Sequence, residues 1–243
     1  MRWVWVQLAA GKGERFAGHL PKQFLRLGGK PVLAYSIEVF LSVSPHSCVV
    51  VVLPLTHFQR GRRVLTRLFS NVPLYFTVGG ETRSASTEAA LSLLESLGYL
   101  QSDYLIAFHD AVRPFVSASL IERVFEAAAT HGAAVCGLPV PFSVRRITAT
   151  GSEAIPRNSL WEVQTPQVFR GDILRIALQK LPPTSEGHFT DEGSWIETAG
   201  FPVTLVAGEP TNLKITYPID WEVAKAWLKR RNKSGEAKSS IFA

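Results

Sequence analysis

Trp3-Val4-Trp5-Val6-Gln7-Leu8 runs directly into Ala9-Ala10-Gly11-Lys12-Gly13-Glu14-Arg15, and Pro21-Lys22-Gln23 follows a few residues later. The first part is apolar and β-prone, the pattern of a buried strand. The small residues after it let backbone N–H groups approach a ligand with no side chain in the way. Arg15 offers a rigid fork for phosphate oxygens, and Lys22 a mobile point charge. Together they specify a strongly anionic ligand, of the kind a nucleoside triphosphate presents. Two familiar alternatives fail on spacing. A dinucleotide loop needs a third glycine where Phe16 stands, and an acid at the end of a second strand. The P-loop pattern is absent. By itself the stretch also fits a plain tight turn.

Outward from this strand, β and α patterns alternate, which predicts a three-layer α/β fold. Its core is a mostly parallel twisted sheet with helices on both faces. Strands are expected at 3–8, 47–53, 74–78, 104–108, 133–140 and 203–206. Helices are expected at 32–41, 57–69, 84–97, 118–131, 172–179, 191–198 and 219–231. Asn212-Leu213-Lys214-Ile215-Thr216 reads as a further short strand with its lysine pointing out. The polar stretch 141–164 is too long for an ordinary connection. Runs flanking Thr150-Gly151 suit a β-hairpin leaving the body, or else a surface loop. The expected organisation is one domain over 1–232, with an arm inserted at about 139–163 and a disordered tail at 233–243.

Composition narrows the classes. The chain has 243 residues, 46% hydrophobic and 19% charged, which is globular. No apolar run approaches a membrane span, and the run after Arg2 is too short for a signal peptide. The net charge of +6 is concentrated at the end. Lys225, Lys229, Arg230, Arg231, Lys233 and Lys238 stand there against one acid, Glu236. That is a solvated helix and tail, not a nucleic-acid stripe. Cys48 and Cys136 lie in apolar runs and read as buried free thiols, which fits a reducing, cytoplasmic setting.

In open α/β sheets the ligand crevice lies outside the carboxyl ends of the strands. Three expected strands end in polar loops there: the glycine turn, Gly79-Gly80-Glu81-Thr82-Arg83 and His109-Asp110-Ala111-Val112-Arg113-Pro114. Asp110 suits a Mg²⁺ held between protein and phosphates, and equally a helix cap. Arg113 could pair with Asp110. His109 reads as a packed, hydrogen-bonding residue. Gly79-Gly80 with Arg83 and Ser86 could frame a base edge or be a plain turn. Arg157, Trp161, Gln164-Thr165-Pro166-Gln167, Thr190-Asp191-Glu192 and Lys214 hint at a second anionic pocket beside the first.

Taken in order, these segments resemble the 2-C-methyl-D-erythritol 4-phosphate cytidylyltransferases, over roughly residues 3–228. The blocks carrying the resemblance are Ala9-Ala10-Gly11-x-Gly13-x-Arg15 with Pro21-Lys22-Gln23, Gly79-Gly80-x-x-Arg83-x-x-Ser86 and His109-Asp110-Ala111-x-Arg113-Pro114. Arg157-Asn158-x-Leu160-Trp161-x-x-Gln164-Thr165-Pro166-Gln167, Thr190-Asp191-Glu192 and Asn212-x-Lys214-Ile215-Thr216 complete the set. The resemblance implies transfer of CMP from CTP to methylerythritol phosphate, with Mg²⁺ at Asp110. It implies catalytic roles for Arg15, Lys22 and Lys214. CTP contacts fall to Ala9, Ala10, Gly11, Gly13, Gly80, Glu81, Ser86, Asp110 and Ala111. Sugar-phosphate contacts fall to Arg113, Ser143, Arg157, Thr165 and Thr190. It also implies a homodimer formed through the arm, whose tip reaches the neighbouring subunit's site.

One block departs from the family. Where the arm usually reads D-T-[IM]-K, this chain has Phe142-Ser143-Val144-Arg145, so an acid is replaced by Phe142 while a hydroxyl and a cation persist. The ribitol-5-phosphate cytidylyltransferases share Pro21-Lys22-Gln23-Phe24 and His109-Asp110-Ala111-Val112-Arg113-Pro114-Phe115, and stand as the alternative. The intact Arg157-Asn158-Ser159-Leu160-Trp161 favours the methylerythritol family. A catalytically silent nucleotide-binding protein is a remoter reading, opposed by the retention of Arg15, Lys22, Asp110 and Lys214.

Overall fold

The computed structural model describes residues 1–11, 13, 16, 20–182, 184 and 189–234, with side chains as far as Arg231. In chain order the elements begin with β1 (Arg2–Leu8), the two-residue strands β2 (Arg26–Leu27) and β3 (Lys30–Pro31), α1 (Val32–Val43) and β4 (Cys48–Leu53). They continue with α2 (Phe58–Leu68), β5 (Leu74–Val78), α3 (Arg83–Ser96), β6 (Tyr104–Asp110), α4 (Ala118–His131) and β7 (Ala133–Pro139). The arm strands β8 (Val144–Thr148) and β9 (Gly151–Ile155) precede β10 (Trp161–Arg170), α5 (Gly171–Lys180), α6 (Glu192–Thr198), β11 (Thr204–Ala207) and α7 (Pro218–Ser234).

Seven strands form the main sheet in the order β11-β7-β10-β6-β1-β4-β5. Six of them run the same way, and β10 runs against its neighbours β6 and β7. All six residues of β4 are buried, as expected of a strand covered on both faces. Successive side chains of each strand serve opposite layers. Trp5, Val49, Val51 and Leu105 pack with Leu33, Ile37, Leu65 and Ile121 of α1, α2 and α4. Val4, Val6, Val50 and Ile106 pack with Leu91 and Leu94 of α3, Leu174 of α5 and Trp195 of α6. A smaller cluster joins Ala224 of α7 to Leu27, Val32, Phe115 and Ile215. Cys48 and Cys136 are free and buried, and burial pushes the Cys136 thiol up to about 12. Among the described residues no helix is long and apolar enough to cross a membrane.

Three expectations change. β10 was not foreseen as a strand, because Pro166 and two glutamines interrupt its apolar pattern. Its pairing with β7 breaks between Gln164 and Gln167, where Pro166 needs to donate nothing to the ladder. The arm is consequently shorter than 139–163, since Pro139 pairs with Trp161 inside the main sheet and Glu162 and Val163 continue that ladder. The protruding part is the β8–β9 hairpin, with Thr148 opposite Gly151. The 212–216 segment is not a strand. It is a connection anchored by Asn212, which donates to the Thr165 carbonyl at 2.8 Å, and by Ile215 N–H to the Val112 carbonyl at 2.9 Å. The last helix runs to Ser234, beyond which the expected tail lies outside the described residues.

Candidate active site

The parallel register sets the carboxyl ends of the central strands level. Leu8 pairs with both Val52 and Asp110, and the chain leaves β1 through Ala9 N–H to the Val52 carbonyl. Above these ends lies a cleft of about 470 Å³. Leu8, Ala9, Ala10, Gly11 and Gly13 form one wall, with Lys22 and Gln23 behind them. Gly80, Glu81, Thr82, Arg83 and Ser86 form another, and Asp110, Ala111, Val112 and Lys214 close the floor. Arg15 lies outside the described residues.

The glycine loop is held from below. The buried Gln23 amide donates to the Ala9 carbonyl at 2.7 Å and the Gly11 carbonyl at 2.9 Å. Gly13 has φ +71°, and its bare Cα faces the Lys22 stem, whose Cγ would lie 3.7 Å from a Cβ. Gly79 is required by close approach. A Cβ there would stand 2.3 Å from Ala10 Cβ and 2.8 Å from Ser86 Oγ, so the two loops can touch only across a glycine. α3 begins at this wall, with the Thr82 side chain capping it by accepting from Ala85 N–H. The amino-terminal end of a helix favours anions.

Asp110 is the electrostatic centre. Its Oδ2 lies 2.8 Å from Lys214 Nζ and 3.7 Å from Arg113 Nε, and its Oδ1 lies 3.6 Å from Arg83 Nε. Burial alone would push this carboxyl up, but Arg83, Lys214 and Arg113 outweigh it and hold the group well below the usual carboxylate range. Arg83 forks onto the buried Glu192, with both nitrogens at 2.7 Å, and Thr87 donates to the same carboxylate at 2.6 Å. Burial opposes the charge on Arg83, yet Glu192 and Asp110 raise its pKa overall.

A buried chain of hydrogen bonds sets the turn that carries Asp110. Asp110 N–H donates to Thr165 Oγ1 at 3.1 Å. The Thr165 hydroxyl is 3.1 Å from His109 Nδ1, and His109 Nε2 is 3.1 Å from the Arg113 carbonyl. The hydroxyl proton must then go to Nδ1, which leaves Nε2–H to donate to Arg113. Burial lowers the His109 pKa to about 4, so near neutral pH it is the neutral imidazole that this pattern requires, clamping both ends of the turn. This matches its reading as a packed, hydrogen-bonding residue.

Of the expected contacts, Lys22, Lys214, Asp110, Ala111, Ala9, Ala10, Gly11, Gly13, Gly80, Glu81 and Ser86 share the cleft. Arg113 is buried beneath it, donating to the Asn212 carbonyl at 2.8 Å. Thr165 sits behind Asp110 with its hydroxyl committed on both sides. Ser143 and Arg157 are exposed on the arm, where Arg157 donates to the Pro141 carbonyl. Thr190 is exposed ahead of α6. Of the residues read as a second anionic pocket, Lys214 alone among the described residues lines this cleft. Gln23, Thr87, Glu192 and Asn212 carry the site's architecture but had no assigned role. Only their place inside the quoted motifs, or for Thr87 one residue after Ser86, signalled them.

A divalent cation fits this donor set. Mg²⁺ is usually bound through one or two carboxylates, with phosphate oxygens and water completing the shell. Asp110 is held ionised on the floor, with Lys214 nearest its Oδ2 and Arg83 Nε 3.6 Å from its Oδ1. No cluster of three potential metal ligands occurs among the described residues, so the phosphates would have to complete the shell.

A mostly parallel sheet that gathers cations, a glycine loop and one ionised carboxylate at its strand ends is how nucleotidyltransferases seat a triphosphate, and the protein is of that class. A family model for 2-C-methyl-D-erythritol 4-phosphate cytidylyltransferase matches residues 4–230, and the chain belongs to that family. Relatives bearing the same name come from Bacteroides fragilis, 39% identical over 91% of this chain and 97% of the relative, and from Acidobacterium capsulatum, 35% identical over 96% and 99%. Among solved structures, the 2-C-methyl-D-erythritol 4-phosphate cytidylyltransferase of Thermus thermophilus is 32% identical with a TM-score of 0.73, covering 94% of this chain and all of that one. The 4-diphosphocytidyl-2C-methyl-D-erythritol synthase of Anaerococcus prevotii is 25% identical with a TM-score of 0.77, covering 94% and 96%.

Proposed function

We propose that the protein transfers the cytidylyl group of CTP to 2-C-methyl-D-erythritol 4-phosphate, an isoprenoid-precursor step. The products are 4-diphosphocytidyl-2-C-methyl-D-erythritol and pyrophosphate. The observation that carries this reading is the meeting of Lys214 with Asp110 at 2.8 Å in the cleft that also holds Lys22 and the glycine loop.

A phosphate oxygen of the polyol attacks the α-phosphorus of CTP in line, and the bond to the β-phosphate oxygen breaks. Its electron pair leaves with pyrophosphate. A phosphate monoester is already largely dianionic near neutral pH, so no general base is needed. That agrees with a site whose one histidine among the described residues is buried, neutral and bound on both nitrogens. What the protein must supply is positioning of two anions against their repulsion, and cations aimed at the developing charge. Arg15, Lys22 and Lys214 take that role. Backbone and small side chains from Ala9 to Gly13, together with Gly80, Glu81, Ser86 and Ala111, hold the nucleotide. Asp110 would hold Mg²⁺, which would supply charge neutralisation for the phosphates.

Arg113, Thr165 and Thr190 serve the polyol phosphate from the body of one domain, 1–232, and Ser143 and Arg157 from the arm. Because the last two are exposed and away from their own cleft, they act on a neighbouring subunit in a homodimer. Phe142, 76% exposed, and Ile147, 80% exposed, give the arm the apolar surface such an interface needs. The buried thiols suit the cytoplasm. The test is pyrophosphate release from CTP and Mg²⁺ with methylerythritol phosphate or ribitol 5-phosphate as acceptor. Release with the former alone is expected, and release with ribitol phosphate alone overturns the choice of acceptor.

A further inference from the structure

Asp110 has an arginine beside it that pairs with it only at a distance. Arg83 Nε stands 3.6 Å from Asp110 Oδ1, too far for a hydrogen bond, while both terminal nitrogens are spent on Glu192 at 2.7 Å. Arginine and carboxylate form their strongest contact as a two-pronged fork. Asp191 also acts on Arg83 but is engaged by Ser194 N–H and the Gln167 amide, whereas Asp110 stands within ion-pair distance, so what decides between fork and floor is Glu192. Its side chain is 1% exposed, is fixed from a second side by the Thr87 hydroxyl at 2.6 Å, and stands next to the N-cap of α6, Asp191. Lys214 and Arg113 meanwhile make their nearest approach to Oδ2, and among the described residues the nearest cation to Oδ1 is Arg83 itself.

We propose that Glu192 is a positioning residue that holds the Arg83 fork off Asp110, keeping Oδ1 available to the cation that accompanies the nucleotide triphosphate. The inference rests on the functional reading above and adds to it a residue that touches neither substrate nor metal. It also gives a physical reason for an acid directly after Asp191. Neutralising Glu192 releases the fork toward Asp110, and the cation then competes with a guanidinium for the same oxygen.

The experiment is calorimetric titration of CTP into the full-length protein, with Mg²⁺ and with EDTA, without acceptor. The ratio of the two dissociation constants measures how strongly the cation and nucleotide reinforce each other, independently of turnover. In the wild type Mg²⁺ tightens CTP binding. In Glu192→Gln that tightening falls by about tenfold, the usual scale for losing a partner behind a metal ligand, while CTP binding in EDTA changes little. The double variant Arg83→Met/Glu192→Gln, with no fork to release, recovers the wild-type ratio. It also keeps the test open should the single variant fail to fold. Thr87→Val loosens Glu192 without freeing Arg83 and keeps the wild-type ratio. An unchanged ratio in folded Glu192→Gln, an equal loss in Thr87→Val, or a tenfold loss in the double variant overturns the inference. A wild type in which Mg²⁺ has no effect on CTP binding removes the cation reading itself, and the inference with it.

Discussion

Lys214 and Asp110, contributed by the connection after β11 and the end of β6, meet as an ion pair of 2.8 Å on the floor of the cleft. Asp110 is fixed by strand pairing and by Thr165. Lys214 is carried by a stretch without ladder pairing, which Asn212 ties to the Thr165 carbonyl. One buried threonine thus references both partners to β10. In the proposed reaction the pair would set a cation where charge builds on a leaving phosphate. Lys214→Ala and Lys22→Ala should each lower kcat by about 10²–10³ with the fold intact, the scale of losing one preorganised group. Near-normal turnover in either would remove that residue from the mechanism.

Gln23 touches the loop and not its ligand in this account. Gln23→Ala strips the Ala9 carbonyl, in a buried residue, and the Gly11 carbonyl of the exposed loop of their donor. The expected cost is about 2 kcal/mol of stability from unsatisfied polar groups. A raised KM for CTP should accompany it, with the KM for the acceptor little changed. Steady-state kinetics with each substrate varied in turn distinguishes this from a general loss of structure.

Gly79→Ala should be poorly tolerated. The new methyl would sit 2.3 Å from Ala10 Cβ and 2.9 Å from Val52 Cγ1, neither of which is the end of a flexible chain. Overpacking of this kind costs about 1–3 kcal/mol. It also pushes apart the two loops that face the nucleotide, so thermal melting and CTP affinity should fall together. A variant with unchanged melting would show that the loops are not in contact.

His109 predicts a pH signature in stability. Its pKa is lowered from 6.5 to about 4 by burial, so between these values the unfolded chain binds a proton that the native protein refuses. Unfolding free energy should fall as pH drops through that window, by up to about 1.4 kcal/mol per pH unit from this group, and level off below it. His109→Gln should be less stable at pH 7 yet lose this slope. Urea melts of both proteins from pH 7 to pH 4 read the difference directly. Parallel curves would mean the imidazole is protonated in the native state.

The arm offers a test of assembly. Phe142 and Ile147 are exposed large hydrophobic residues on the protruding segment. Phe142→Glu/Ile147→Glu should shift the protein to a monomer in light scattering without lowering its melting temperature by more than a few degrees. A monomeric wild type would contradict assembly through the arm.

Most of the sheet was legible because the parallel strands are short apolar runs and the helices show one apolar face. The 118–131 helix even keeps its expected ends, set by Ser117 at its start and Gly132 beyond it. β10 was hidden for a physical reason. Its polar side chains are satisfied by tertiary partners that no local pattern reveals. Gln167 accepts from Gly193 N–H at 2.9 Å, and Gln164 donates to the Glu209 carbonyl at 3.0 Å. The cleft was legible as motifs at strand ends. Its supports were not, because Gln23, Glu192 and Asn212 act on backbone or on other side chains across the fold. The 212–216 reading failed similarly, since Asn212 and Ile215 are fixed by β10 and the turn after β6 in place of a neighbouring strand.

The central claim is that one cleft seats the whole triphosphate between the glycine loop, Lys22 and the Asp110–Lys214 pair. A crystal structure with CTP and Mg²⁺ tests it most directly. Phosphate density is expected within hydrogen-bonding reach of the Gly11–Gly13 backbone and both lysines, with the cation against Asp110 Oδ1. Nucleotide bound elsewhere, with Lys22 and Lys214 both clear of its phosphates, would contradict it.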